Sequence, residues 1–222
     1  MALWCEVIGM DTNWAEENLK TIRTLMERSA IYRRALAPIM LFAGTMGVLT
    51  AAIGIWFQQD STQAFGTLWL GTAAIVVAGA FLTARRQAIK DKEHFWSPPT
   101  RRVGQALLPA LSSGMFLGGV FTFVGLTNAI TLTFIWLFFY GCALHSAGFF
   151  MMRGMKCFGW IFIGLAAVTA LVLCLLNVTR PLAVPPSNIA ITAHWLMGFF
   201  FGVLHLAYGA YLYWTEKRKN AA

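Results

Sequence analysis

Apolar residues fill six long blocks of the chain, separated by short polar breaks. The blocks are Ala35–Phe57, Ala64–Ala84, Val103–Gly125, Ile130–Met152, Cys157–Val178 and Ile189–Trp214. A helix needs about twenty residues to cross the hydrocarbon of a bilayer, and each block meets that length. Lipid offers no partner to an open backbone, so each block is expected to be a helix. The breaks at 58–63 and 126–129 are short enough to imply antiparallel hairpins. The expected fold is therefore all-α, a polytopic membrane bundle of six transmembrane helices.

Composition agrees with that pattern. Of 222 residues, 58% are hydrophobic and only 12% are charged, against about a quarter charged in a soluble domain. The net charge of +8 would suggest nucleic acid in a soluble protein, but here its placement describes topology. Lys20, Arg23, Arg28, Arg33 and Arg34 precede the first block. Arg85, Arg86, Lys90, Lys92, Arg101 and Arg102 lie between the second and third. Arg153, Lys156, Lys217, Arg218 and Lys219 complete the same side, and only Arg180 falls opposite. The positive-inside rule then places both termini in the cytoplasm. Trp56, Trp69, Trp96, Trp160, Trp195 and Trp214 lie near block ends, where interfacial anchors are expected.

The chain divides into a cytoplasmic N-terminal segment, 1–34, the bundle, 35–214, and a basic tail, 215–222. Asn13 can cap a helix with Glu16 completing a capping box. Leu19, Ile22, Leu25 and Met26 follow at helical spacing, so an amphipathic cytoplasmic helix is expected there. It suits either the membrane surface or a cytoplasmic partner through residues 13–34. The opening "MALWCEVIGM" lacks a basic start and a cleavage site, so it does not read as a signal peptide, and residues 1–9 receive no role. In the loop "RRQAIKDKEHFWSPPTRR", Asp91, Glu93 and His94 read as a solvated mixed-charge stretch rather than a metal cluster. Cys5, Cys142, Cys157 and Cys174 form no CxxC pair, which points to buried small hydrophobes.

No Asp, Glu, Lys or Arg falls inside a block. Ion-coupled transporters usually keep such a residue in the membrane, so the pattern weighs against a pump or antiporter. No HExxH or phosphate-binding loop is present. An intramembrane hydrolase of the rhomboid type would need Ser146 on the fourth span beside a histidine on the sixth. Ser146 and His194 differ in depth by on the order of 16 Å at the helical rise, and a nucleophile must touch its base. Only His205 keeps that minor alternative open.

Chemistry therefore converges on histidines in apolar surroundings. His145 in "YGCALHSAG" and His205 in "FFGVLHLAYG" each lie about fifteen residues from the non-basic end of their spans, at matched depth. Gly141 and Gly148 flank the first, and Gly202 and Gly209 the second, on one helical stripe. His194 precedes His205 by eleven residues, nearly the same face, and Tyr208 follows. Three readings stand. The histidines bond across helices while Gly198, Gly202, Gly114 and Gly118 let backbones approach. They ligate a b-type haem as an axial pair, His145 and His205. Or they line a path for a substrate or proton. The first reading requires no cofactor, and haem b enters only with the second.

The sixth span, "FFFGVLHLAYGAYLYWTEKR", resembles the "GxLHxxxG…R" ending of a family of unknown function, the uncharacterised bacterial six-span inner-membrane proteins. "WLFFYG" before His145 and the entry segment "IRTLMERSAIYR" are similar to theirs as well. The resemblance implies a bacterial inner-membrane protein with cytoplasmic termini. Members are often encoded beside small winged-helix regulators, which fits a sensory or envelope-stress role. It carries no activity to any residue. The expected role is non-enzymatic: structural, sensory or the handling of a small neutral solute. A haem-binding electron carrier is the alternative. The expected partner is the lipid bilayer. A homo-oligomer stays open, and nucleic acid is not expected.

Overall fold

The computed structural model describes residues 17–19, 35–90, 92, 95–125, 127–179 and 186–221. All regular structure among them is helical. Helix α1 spans Ala35–Trp56, α2 Thr62–Lys90, α3 Pro98–Val124, α4 Ala129–Ala147 and α5 Arg153–Thr179. The sixth span is composite: α6, Pro186–Met197, runs into a π-helical segment, Gly198–Val203, and then into α7, Leu204–Ala221. Six of these stretches are long and apolar enough to cross a membrane. The protein is thus an all-α polytopic bundle. Its outer surface carries large apolar side chains such as Phe116, Val168, Leu171 and Trp195, as a lipid-facing surface should. Most of the amphipathic segment expected at 13–34, residues 91, 93 and 94 of the long loop, and Arg180 lie outside the described residues.

The fourth helix stops sooner than the apolar block suggested. Helix α4 ends at Ala147 and the chain turns through Gly148–Met152. The amides of Phe149 and Phe150 reach back three residues, to the carbonyls of Ser146 and Ala147, which tightens the turn. Gly148 lets the start of α5 close on this turn, since a Cβ there would stand 2.7 Å from the Lys156 amide nitrogen.

Helix α1 closes its non-basic end with a Schellman arrangement. The amide of Gln59 donates to the carbonyl of Gly54, and that of Gln58 to Ile55. Gln58 occupies the left-handed position at φ 47°, where glycine is the usual residue.

Within lipid, helices gain nothing from hiding apolar surface, so close packing and internal hydrogen bonds must hold them together. Glycine supplies the packing. Helix α1 lies antiparallel to the sixth span. Gly54 sits against the His194 ring, Gly47 against the main chain of Phe201 and Gly202, Gly44 against Leu206, and Leu41 against Gly209. From the other side, Gly198 meets Ala51 and Gly202 meets Val48. Helices α4 and α5 repeat the device, with Gly141 facing Gly159 and Ile163. On α3, Gly114 meets Phe139 and Gly118 meets the indole of Trp136, both on α4.

Two buried clusters stack along the bundle. One, toward the basic end, gathers Leu36, Met40, Leu144, Met155, Phe158 and Phe162. The other, toward the opposite end, gathers Ala51, Phe65, Trp69, Leu132, Ala193 and Met197.

A Cβ at Gly47 would stand 2.6 Å from the Phe201 carbonyl oxygen, whereas at Gly71 it would meet nothing within 4 Å. Gly47→Ala should therefore cost about 1–3 kcal/mol in detergent unfolding, as overpacking does. Gly71→Ala should be neutral or slightly stabilising. Equal effects at the two positions would show that α1 does not pack this closely on the sixth span.

Candidate functional site

Two fully buried histidines lie in the sixth span, and each is held by a different neighbour. His205, 1% exposed, places Nε2 2.6 Å from the Tyr140 hydroxyl of α4 and Nδ1 3.2 Å from the Phe200 carbonyl. A carbonyl can only accept, so in the neutral ring Nδ1 carries the proton and Nε2 accepts from Tyr140. His194, 0% exposed, places Nδ1 3.1 Å from Trp69 Nε1 of α2. Indole can only donate, so His194 accepts at Nδ1 and carries its proton on Nε2. The two rings are therefore opposite tautomers. The Nε2 of His194 has no bonded partner. The Gln59 main chain approaches the ring but makes no bond of acceptable geometry.

Aromatic side chains enclose both rings. Phe158 and Phe162 of α5 meet His205 edge-on at 5.3 and 5.4 Å, and Phe201 stacks at 5.8 Å. Phe65 meets His194 edge-on at 4.9 Å.

The π segment sets this arrangement. Eleven residues in an α-helix would bring His194 and His205 to almost one face. A π segment carries more residues per turn, which rotates His205 toward α4 and α5 while His194 faces α1 and α2. The shared face expected from spacing alone is thereby corrected. The segment is "GFFFGV". Its flanking glycines yield to α1, and the wide turn lets both Phe200 and Phe201 point inward while Phe199 faces out.

His145 does not join His205. Helix α5 acts as a ruler: His145 lies beside Gly159, and His205 lies against Phe158 and Phe162. The two are level but on different sides of α5. The His145 ring packs on Phe149 and Trp160 at 5.3 and 5.1 Å, and its Nδ1 has no partner. An axial haem pair does not fit these residues. Both ring nitrogens of His205 are committed to Tyr140 and Phe200, and the His145 ring points elsewhere. Tyr208 stacks on Phe158 at 4.5 Å, its hydroxyl buried against Gly154 without a partner. Ser146 bonds neither histidine, so the hydrolase geometry is absent too. Among the described residues no cluster of metal-ligating side chains forms, and Cys142, Cys157 and Cys174 are unpaired.

Beside the His205–Tyr140 pair lies a cavity of about 180 Å³. Ala43 and Gly47 of α1, Ala73 of α2, Gly114 of α3 and Trp136 of α4 contribute to its wall, together with Phe201. Its rim between α2 and α3 includes Val77 and Met115, both exposed on the outer surface. The other polar side chains on the wall are Thr72, Trp69 and Trp136. Thr72 shares a 2.8 Å bond with Thr50 of α1 and donates to the Leu68 carbonyl.

Two participants escaped the reading of the chain. Trp69, expected at the membrane interface, is 4% exposed and bonded to His194, unlike Trp56 and Trp160 on the surface. Its signal was the spacing Phe65, Trp69, Thr72, a single buried stripe of α2. Tyr140 reads in the sequence as one more aromatic in "WLFFYG". Comparisons with protein-family models, curated proteins and solved structures gave no match.

If Trp69 and His194 are bonded as described, Trp69→Phe strands an acceptor and should cost about 1–3 kcal/mol. A double-mutant cycle with His194→Leu should then give a coupling energy of about 0.6–2 kcal/mol. A coupling indistinguishable from zero would remove the bond.

Proposed function

We propose that this protein is an integral membrane protein that binds a small, uncharged, largely apolar molecule inside its bundle, in the cavity beside His205 and Tyr140. The single observation that carries this reading is the cavity itself, with its uncharged lining. An apolar cavity of about 150 Å³ in a protein core stays dry and takes up benzene, and this one, of about 180 Å³, suits a ring or a short branch of similar size. Its wall holds no carboxylate, lysine or arginine, and its one basic ring, His205, has both nitrogens bonded within the protein. The rim at Val77 and Met115 offers entry from the bilayer rather than from water. This corresponds to the handling of a neutral solute, or to a sensor that reads one.

The charge distribution supports an orientation with both termini in the cytoplasm, since sixteen of the seventeen Lys and Arg residues fall on one side of the expected spans, and the bacterial inner membrane is proposed on the resemblance of the sixth span alone. Helix–helix hairpins among the described spans are consistent with an even number of crossings.

Two measurements test the reading. Fluorobenzene should show saturable ¹⁹F NMR binding to the protein in nanodiscs beyond that of empty nanodiscs, and Ala73→Phe, which fills the cavity, should abolish it. Saturation that survives Ala73→Phe would place binding elsewhere. For orientation, with native cysteines replaced, Ser61→Cys should react with an impermeant maleimide in intact cells and Arg86→Cys only after permeabilisation. The reverse order would invert the topology.

A further inference from the structure

The hydrogen atoms around the cavity can be accounted for one by one. The Tyr140 proton goes to His205 Nε2, because His205 Nδ1 must donate to the Phe200 carbonyl. The Thr72 proton goes to the Leu68 carbonyl, which leaves Thr50 to donate to Thr72. The Trp69 N–H goes to His194 Nδ1. The Trp136 N–H lies against Gly118, one turn along α3 from the cavity wall at Gly114. The remaining wall is glycine and apolar side chains. Every other polar hydrogen on the wall is thus spent within the protein, and the Trp136 N–H, which makes no hydrogen bond, is covered by Gly118. What the wall still offers is lone pairs: those of Tyr140 Oη, which donates but accepts nothing, and the one on Thr72 Oγ1 that Thr50 does not take.

We infer that the cavity selects an apolar molecule carrying a hydroxyl or N–H donor, an apolar alcohol or phenol, and rejects one whose polar end is a carbonyl. The inference rests on the cavity reading above and sharpens it to a ligand class. A donor gains a bond to Tyr140. A ketone, quinone or ester of the same shape brings an acceptor to a wall of acceptors, loses its hydration and finds no partner. The device that sets this polarity is the π segment. It holds the Phe200 carbonyl on His205 Nδ1, which fixes the tautomer and in turn fixes the direction of the Tyr140 hydroxyl.

The probes are 4-fluorophenol, 4-fluoroanisole and 4-fluoroacetophenone, followed by ¹⁹F NMR on the full chain in nanodiscs and corrected against empty nanodiscs. The wild-type protein should bind the phenol about two- to tenfold more tightly than the anisole, the span of a net hydrogen bond, with the acetophenone weakest. Tyr140→Phe alone would bare the His205 Nε2 lone pair on the same wall. The double change Tyr140→Phe with His205→Leu is therefore the one that removes the acceptor pair, and it should lower the preference for the phenol, leaving only the Thr72 oxygen to favour it. His205→Leu frees the Tyr140 proton, so it should raise binding of the acetophenone. Acetophenone binding at or above phenol in the wild-type protein overturns the inference while leaving the cavity reading intact, as does a phenol preference undiminished in the Tyr140→Phe, His205→Leu double variant. Absence of saturable binding by all three probes overturns both. The wild-type ranking alone decides the matter if a variant does not fold.

Discussion

Hydrocarbon cannot accept or donate a hydrogen bond, and the core of this protein is organised by that constraint. A polar group carried into the bundle is costly unless it finds a partner on another helix or on its own backbone, and among the described residues His145 Nδ1, His194 Nε2 and the Tyr208 hydroxyl are the buried side-chain atoms without one. Threonines meet the demand locally. Thr45, Thr67, Thr83, Thr122, Thr133 and Thr169 each return their hydroxyl to a carbonyl one turn back. A histidine can return only one of its two nitrogens this way, as His205 Nδ1 does to the Phe200 carbonyl, and the remaining bonds of His194 and His205 tie the sixth span to α2 and α4. The pairs His194–Trp69 and His205–Tyr140 are as much constraints on helix placement as they are interactions. Each such bond in a membrane contributes on the order of 1 kcal/mol. Their value lies in specifying which faces meet.

Those bonds can form only because backbones come close. Glycines on α1 and on the sixth span remove the side chains that would otherwise separate them, and the two helices run antiparallel with residues such as Gly54 against His194 and Gly44 against Leu206. The π segment is set into this contact. It turns the sixth span between its two histidines, so that one helix serves both sides of the bundle. The cavity lies where the small residues Gly47, Ala73 and Gly114 face one another. Absence of side-chain volume thus does two things at once, drawing α1 onto the sixth span and leaving room beside it.

The division between what was legible in the chain and what was not follows the range of the physics. Six spans were readable because burial in lipid imposes length and composition on each helix separately. The approach of neighbouring helices at Gly141, Gly198 and Gly202 was suggested by small residues at helical spacing. The partners of the histidines were not readable, since a bond between His205 and Tyr140 depends on helix rotation, and rotation was altered by a π segment that no local propensity announces. Spacing gave His145 and His205 the same depth but could not say that α5 stands between their rings. Trp69 was misplaced for a related reason: a tryptophan one turn inside a span has the same local sequence signature whether it anchors the interface or reaches inward to a histidine.

The central claim is that the two buried histidines are neutral and locked in opposite tautomers by their partners. Solid-state NMR of the ¹⁵N-histidine-labelled protein in lipid bilayers reads this directly, with assignments from His194→Gln and His205→Gln variants. The structure predicts a protonated Nδ1 and bare Nε2 for His205, and a bare Nδ1 with protonated Nε2 for His194. Finding both rings in the same tautomer, or His205 doubly protonated at neutral pH, would contradict the account.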